Sequence, residues 1–98
     1  MAFVSIRRYQ VDPANVDEII RRVQAGFVPI MRGTPGFIAY RAIDGGNGDI
    51  ASISVFENEA GVEESNNRAA GWVKENLADL ITSAPDIFAG DVVVSEQA

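Results

Sequence analysis

The sequence predicts an α+β fold of the ferredoxin-like class, in which a four-stranded antiparallel sheet carries two helices on one face. Two observations support this prediction. Strand-like and helix-like periodicities follow one another in the order β-α-β-β-α-β, which is the split βαβ arrangement. The two middle strands are separated only by the turn-forming segment DGGNGD, residues 44–49, so they form an antiparallel hairpin. A chain of 98 residues has room for one hydrophobic core, and we expect a single domain over residues 1–98.

The first half of the chain predicts a strand followed by a helix. Residues 2–11 are rich in β-branched and aromatic side chains, which favours the first strand. Asp12 is suited to cap a helix, and Pro13 to occupy its first position. Pro29 is expected to kink or end the last turn, before residues 33–36 stop the helix. The apolar residues at helical spacing are Val16, Ile20, Val23, Phe27 and Ile30.

The second half predicts a hairpin, a helix and a last strand. Residues 37–43 and 50–57 form the hairpin strands, and Asn58 is expected to cap a helix that continues to about Ile81. Residues 87–96 predict the fourth strand, with a bulge at Gly90. The buried stripe of this second helix is Val62, Asn66, Ala69, Val73, Leu77 and Leu80, so an asparagine falls on an apolar face.

The predicted sheet leaves one face uncovered. Strand alternation places four apolar side chains on the face away from the helices. They are Val4, Ile6, Ile53 and Val55. An uncovered apolar face of this kind tends to find a partner, so we expect a homodimer whose two sheets pack face to face. Tyr9 and Tyr40 are expected to pack in the core or in this interface.

The composition excludes several classes of function. The chain has no cysteine and no histidine, which excludes disulfides and thiolate catalysis and removes the commonest metal and haem ligand, so we expect no metal site. A formal net charge of -6 argues against nucleic-acid partners and anionic membranes, and no apolar run approaches the ~20 residues that span a bilayer. No secretory signal pattern is present, so we expect a cytoplasmic protein.

Strand parity predicts a polar cavity beneath the helices. If Phe56 faces the helices, alternation places four polar side chains on the same side of the first and third strands. They are Ser5, Arg7, Ser52 and Ser54. Together with Asn66 on the second helix they are unsuited to a hydrophobic core, and we expect an enclosed pocket of ~300 Å³ or more.

Four short segments extend over essentially the whole chain: FVSIRRYQVDP, PGFIAYR, ISVFENEAG and GWV. In their order and spacing they resemble the antibiotic-biosynthesis-monooxygenase family. The resemblance implies a dimeric α+β barrel with a site between the sheet and the helices of each subunit. Some members of this family oxygenate aromatic polyketides or quinols with oxygen alone. The resemblance therefore implies a reaction that uses neither a metal nor a flavin.

A related branch of the family binds and degrades haem. That branch uses an asparagine on the first strand, a tryptophan at the end of the third strand and a histidine on the second helix. The matching positions here are Arg7, Phe56 and Asn66, and none carries the haem-branch residue. We therefore expect no haem-degrading activity.

The main candidate residues each admit two interpretations. Asn66 is either a structural amide bonded to a strand serine or a water, or a residue that lines the cavity. Arg7 either reaches the rim and pairs with Glu63 or Asp49, or binds an enolate or carboxylate inside. Trp72 either packs at the rim or contacts the ligand.

Two functions follow from these interpretations. The first is a cofactor-independent monooxygenase, an oxidoreductase acting on a small electron-rich aromatic, with Arg7 and Asn66 as catalytic residues. The substrate would be contacted by Ser5, Ser52, Ser54, Phe56 and Trp72. Without histidine the chain has no obvious general base, so this substrate must ionise readily. The second is a non-catalytic small-molecule-binding or structural dimer of the same fold that has lost the catalytic residues.

Overall fold

The computed structural model describes residues 2–98 and contains one four-stranded antiparallel sheet. The strands are β1 (Phe3–Gln10), β2 (Phe37–Asp44), β3 (Asp49–Phe56) and β4 (Asp86–Asp91), and they lie side by side in the order β2-β3-β1-β4. A helical region over residues 13–32 and a long helix, α3 (Glu59–Asn76), lie on one face of this sheet. This confirms the predicted ferredoxin-like α+β fold. Within the described residues, no helix combines the length and apolarity that crossing a membrane requires.

The first helical region is irregular. It consists of a 3-10 turn (Pro13–Asn15), α1 (Val16–Arg22), a π turn (Val23–Phe27) and α2 (Val28–Arg32). As predicted, Asp12 caps it, its carboxylate accepting from the N–H of Ala14. In the π turn the N–H of Val28 donates to the carbonyl of Val23, five residues back. The helix continues past Pro29 because the irregularity that a proline imposes lies in the turn before it.

The π turn also changes which residues are buried. Val16 and Phe27 are buried as predicted, but Met31 is completely enclosed where Ile30 was expected. A π turn contains one residue more than an α turn, so every later side chain moves around the helix. Ahead of the turn, Ile19 takes the buried position and Ile20 is 36% exposed, at the edge of the cavity described below.

Helix α3 begins as predicted, with the Asn58 side chain accepting from the N–H of Gly61, but it ends at Asn76 instead of about Ile81. The carbonyl of Asn76 accepts a hydrogen bond from Arg22, at 2.9 Å. The N–H of Leu80, which would bond that carbonyl in a continuing helix, donates to Leu77 instead. The side chain of Arg22 thus joins α1 to the end of α3.

The last strand is shorter than predicted and has no bulge at Gly90, because β1 and β4 pair in continuous register from Arg8 to Phe3. Strand β4 ends at Asp91, since β1, its neighbour in the sheet, begins at Phe3. The irregularity in the sheet lies between Phe37 and Ala39, where β2 shifts its register against β3.

The hydrophobic core is divided into two clusters. One contains Tyr9, Ile19, Ile50 and Leu77, and the other is built around Phe27, Met31, Phe56 and Val62. Val23 and Trp72 pack against both clusters. The far face of the sheet carries the expected apolar row, in which Ile6 lies between Ile53 and Phe88. Phe88 is 73% exposed, so this face is open in the single chain.

The hairpin depends on one close backbone approach. Gly48 has a φ of +80°, its carbonyl accepts from the N–H of Val11 at 2.8 Å, and an added Cβ would overlap the carbonyl oxygen of Val11. Gly46 has a φ of +88° with open space around it. We expect Gly46→Ala to lower the free energy of unfolding by about 1–2 kcal/mol and Gly48→Ala by about 3 kcal/mol or more in urea titrations. Equal losses would contradict the close approach.

The carboxylate of Glu18 is expected to make the stability of the fold depend on pH. Hydrogen bonds from Arg21 and Arg22 lower its carboxyl pKa from 4.5 to about 2. A depressed folded-state pKa contributes stability that is present above pH 4.5 and lost as the pH falls towards 2. Glu18→Gln should therefore lower the thermal midpoint slightly at pH 7 and converge with wild type near pH 2. Glu96→Gln, in the C-terminal tail, is the control and should follow wild type throughout; a constant gap for Glu18→Gln would contradict the assignment.

Candidate functional site

The inward polar residues lie where strand parity predicts. Ser5 pairs with Ser54 and Arg7 with Ser52 in the β1–β3 register, so all four share one face of the sheet. That face is the one beneath α3, because Ser5 and Arg7 both reach Asn66 on that helix. The sequence therefore predicted the register of the site correctly.

Asn66 is held by the sheet through its carbonyl oxygen. The hydroxyl of Ser5 donates to Oδ1 at 3.1 Å, and a terminal nitrogen of Arg7 donates to the same atom at 3.5 Å. Since a guanidinium can only donate, the oxygen and not the nitrogen must face Arg7. Within residues 2–98 the Nδ2 amide has no hydrogen-bond acceptor, so its two hydrogens are available to a ligand. Both interpretations of Asn66 hold: it is bonded to a strand serine, and it lines the cavity.

Arg7 is buried without a counter-charge. The residue is only 7% exposed, and none of the ion pairs within residues 2–98 includes it. The expected rim pairing with Glu63 or Asp49 is wrong, because Asp49 pairs with the outward-facing Arg8 at 2.6 Å. The side chains of Tyr9 and Asn66 accept hydrogen bonds from Arg7, but both are neutral, so its positive charge is uncompensated.

Tyr9 has a role that sequence reasoning missed. Its hydroxyl oxygen accepts from Nε of Arg7 at 3.2 Å and from a terminal nitrogen at 3.1 Å, so the phenol fixes the plane of the guanidinium. The residue also belongs to a core cluster, as the packing prediction expected. The i,i+2 spacing on one strand face was the available signal, since it places Arg7 and Tyr9 side by side.

A cavity of about 60 Å³ lies between the sheet and the helices. Polar groups of Arg7, Ser52, Ser54 and Asn66 lie along its strand and α3 sides, and apolar side chains supply most of the remaining wall. It is lined by members of both core clusters. The expected hollow is thus real, but it is amphipathic where a polar one was predicted, and it is smaller than the predicted ~300 Å³.

Aromatic rings form one wall of this cavity. Phe27 meets Tyr40 edge-on, with ring centroids 5.6 Å apart, and Trp72 at 5.5 Å. A Cβ on Gly26 would lie 3.0 Å from the indole of Trp72, so the glycine makes room for the ring. Burial raises the pKa of the Tyr40 phenol, against the opposing effects of the Ser52 hydroxyl and the Arg7 charge. Tyr40 is therefore a neutral wall residue at physiological pH.

Two residues predicted to contact a substrate do not line the cavity. Ser5 is 1% exposed and its hydroxyl is used on Asn66, so it positions the amide. Phe56 is completely buried, packs edge-on to Phe37 at 5.8 Å and touches the start of α3 at Gly61. It is a core residue because the strand ends directly below the helix start. Residues 2–98 contain no group of acidic side chains arranged to hold a metal ion.

Solved structures share this fold, although no protein-family model and no curated protein matches the sequence. A protein of unknown function from Nitrosomonas europaea matches with a TM-score of 0.79 at 20% identity, covering 99% of this chain and 94% of that chain. The monooxygenase ActVA-Orf6 of Streptomyces coelicolor, in complex with Nanaomycin D, gives 0.79 at 18% identity, covering 99% and 92%. SnoaB, a cofactor-independent oxygenase from Streptomyces nogalater, gives 0.68 at 14% identity, covering 96% and 95%.

Other structures of this fold are described as antibiotic biosynthesis monooxygenases. At identities of 20% or less the likeness concerns the fold. The chain has the α+β fold of the antibiotic biosynthesis monooxygenases, which confirms the fold that the sequence resemblance implies.

The uncompensated charge of Arg7 should cost stability. We expect Arg7→Met to raise the free energy of unfolding by about 1 kcal/mol in urea titrations, because it removes a desolvated charge and keeps an unbranched side chain. Arg8→Met is the matched control one residue along. It breaks an exposed ion pair, so it should leave stability unchanged or slightly lower. A loss of stability on Arg7→Met would show that Arg7 is a structural residue.

Proposed function

We propose that this protein is a cofactor-independent monooxygenase acting on a small electron-rich aromatic, such as a quinol or polyketide-like compound. The observation that carries the proposal is the buried, uncompensated guanidinium of Arg7 beside a cavity walled by aromatic rings. A phenolate or enolate supplies the missing charge, and the apolar wall accepts its ring. The fold shared with SnoaB and ActVA-Orf6 supports a reaction of this type.

The chemistry resides in the substrate anion. Arg7 stabilises the oxyanion, and the free Nδ2 of Asn66 with the hydroxyls of Ser52 and Ser54 orients it. The carbanion form of the substrate transfers electrons to O2, and a carbon–oxygen bond forms to give a peroxide. Loss of water from the protonated peroxide turns the CH2 group of an anthrone, or of the keto tautomer of a quinol, into a carbonyl, with one oxygen atom in the product and the other in water. The apolar wall excludes bulk water from the intermediate.

The cavity must widen to hold such a substrate. A benzene-sized ligand occupies a space of roughly 150 Å³, more than twice the observed cavity. The side chains at its edge include Ile20 and Ile43, which are 36% and 48% exposed. We expect rotation of these two isoleucines to enlarge the cavity, because neither belongs to a core cluster.

The second candidate function is a non-catalytic binder of the same type of anion. The observation in its favour is that no carboxylate lines the cavity of the described residues, and the chain has no histidine, so no conventional general base is present. Under this alternative, the protein binds an aromatic anion in the same place without oxidising it.

We further propose that the protein acts in the cytoplasm as a homodimer through the open sheet face. The row of Phe88, Ile6 and Ile53 supports the homodimer, because it is apolar and lies on the face without helices. Two such faces would cover one another and close an α+β barrel.

Oxygen uptake tests the catalytic proposal. With a panel of anthrones and hydroquinones, the wild-type protein should consume oxygen faster than the free compounds. Arg7→Met and Asn66→Ala should each lower this rate by roughly 100-fold, because each removes a donor to the anion. Asn67→Ala is the control, since Asn67 is the exposed neighbour, and it should match wild type. A wild-type rate no greater than that in free solution would contradict the monooxygenase proposal and favour the non-catalytic binder.

Light scattering tests the dimer. The mass at micromolar concentration should be about twice the 10.5 kDa of the chain. Ile53→Lys places a charge in the middle of the apolar row and should give a folded monomer, whereas Gln24→Lys, on the exposed side of the helical region, should remain dimeric. A wild-type monomer, or a dimer unaffected by Ile53→Lys, would contradict the sheet interface.

A further inference from the structure

A second hollow adjoins the cavity on the other side of Arg7. It is a groove of about 230 Å³ between the C-terminal half of α3 and residues 81–85, which lead into β4. The groove and the cavity share four lining residues, so the two hollows are adjacent along this boundary; the shared residues are Arg7, Tyr9, Val73 and Ile81. Lys74 of α3 and the hydroxyl residues Thr82 and Ser83 line the outer part of the groove.

The charge of the groove is opposite to that of the chain. The chain has 14 acidic and 8 basic residues, yet the groove is lined by two cations and no carboxylate. Neither Arg7 nor Lys74 takes part in an ion pair within residues 2–98. The nearest acids in sequence, Glu75 and Asp86, are not among the lining residues, and the charge of Asp86 acts on Arg8.

Arg7 alone cannot serve two anions equally. A guanidinium has five N–H groups, and three of those of Arg7 are used on Tyr9 and Asn66. The two that remain suit the oxyanion in the cavity. A second anionic group in the groove therefore needs its own cation, and Lys74, a flexible and unpaired ammonium, meets that need.

We propose that the groove binds a carboxylate-bearing arm of the same ligand whose aromatic ring lies in the cavity. This inference rests on the proposed function, and it defines the substrate class as a phenolic aromatic with an acidic side arm. Lys74 holds the carboxylate, Thr82 and Ser83 offer hydrogen bonds to it, and Arg7 adds its positive field from the inner end. Neutral phenols of the same size lose this contact and bind more weakly.

Anaerobic calorimetry with a matched pair of probes tests the inference. The probes are 2,5-dihydroxyphenylacetate and its neutral amide, which share the ring and the size of the arm and differ in whether the arm ends in a carboxylate or an uncharged carboxamide. We expect wild type to bind the acid roughly tenfold more tightly than the amide, and added salt to reduce this preference. Lys74→Gln should abolish most of the preference and leave the affinity for the amide unchanged.

Arg32→Gln is the charge-matched control, because Arg32 is exposed and lines neither hollow. It should retain the full preference. Equal affinity for acid and amide in wild type, a preference that survives Lys74→Gln, or no binding of the acid at millimolar concentration would overturn the inference. Oxygen uptake separates this result from the proposed reaction, since an acid preference without turnover supports the groove and leaves the protein a binder.

Discussion

The candidate site is organised around one buried positive charge that has no negative partner. Arg7 points from the middle of the sheet towards α3, and its hydrogen bonds go to a phenol and an amide, which are neutral. Burying a charge in this way is unfavourable, because water is removed and nothing of opposite sign replaces it. Under the proposed function, a ligand brings the missing charge. Ser5 and Tyr9 then have related roles, since Ser5 holds Asn66 and Tyr9 holds Arg7, the two groups that would face this ligand.

The space for that ligand arises from how the core is divided. Serines at positions 52 and 54 of β3 are too small to fill the gap between the two apolar clusters, while Phe56 and Ile50 at the ends of the same strand face fill theirs. The π turn brings Phe27 and Gly26 against Trp72, which completes the aromatic wall. The irregular helix and the small strand residues therefore serve the same cavity.

Alternation along the strands was enough to predict the sheet, its register and the inward direction of Arg7, because a period of two has a single solution when one face is buried. Helical spacing likewise placed Asn66 correctly. The sequence could not show that Asp49 pairs with Arg8 and leaves Arg7 alone, since this depends on distances between strands. The π turn could not be predicted, because a helical stripe assumes regular turns. The early end of α3 could not be predicted either, because the Asn76 carbonyl there bonds Arg22, 54 residues away in the sequence. The substrate contact predicted for Phe56 was wrong, because the family resemblance does not show how closely Gly61 approaches its ring.

The number of protons released on ligand binding tests the role of Arg7 most directly. It is obtained by titrating a simple hydroquinone at pH 7 without oxygen, in buffers of different ionisation enthalpy. If Arg7 selects the anion, wild type releases about one proton for each phenol bound, because the ligand enters as the phenolate, and Arg7→Met releases none. Binding without proton release in wild type, or equal release by both proteins, would show that the buried guanidinium does not act on the ligand.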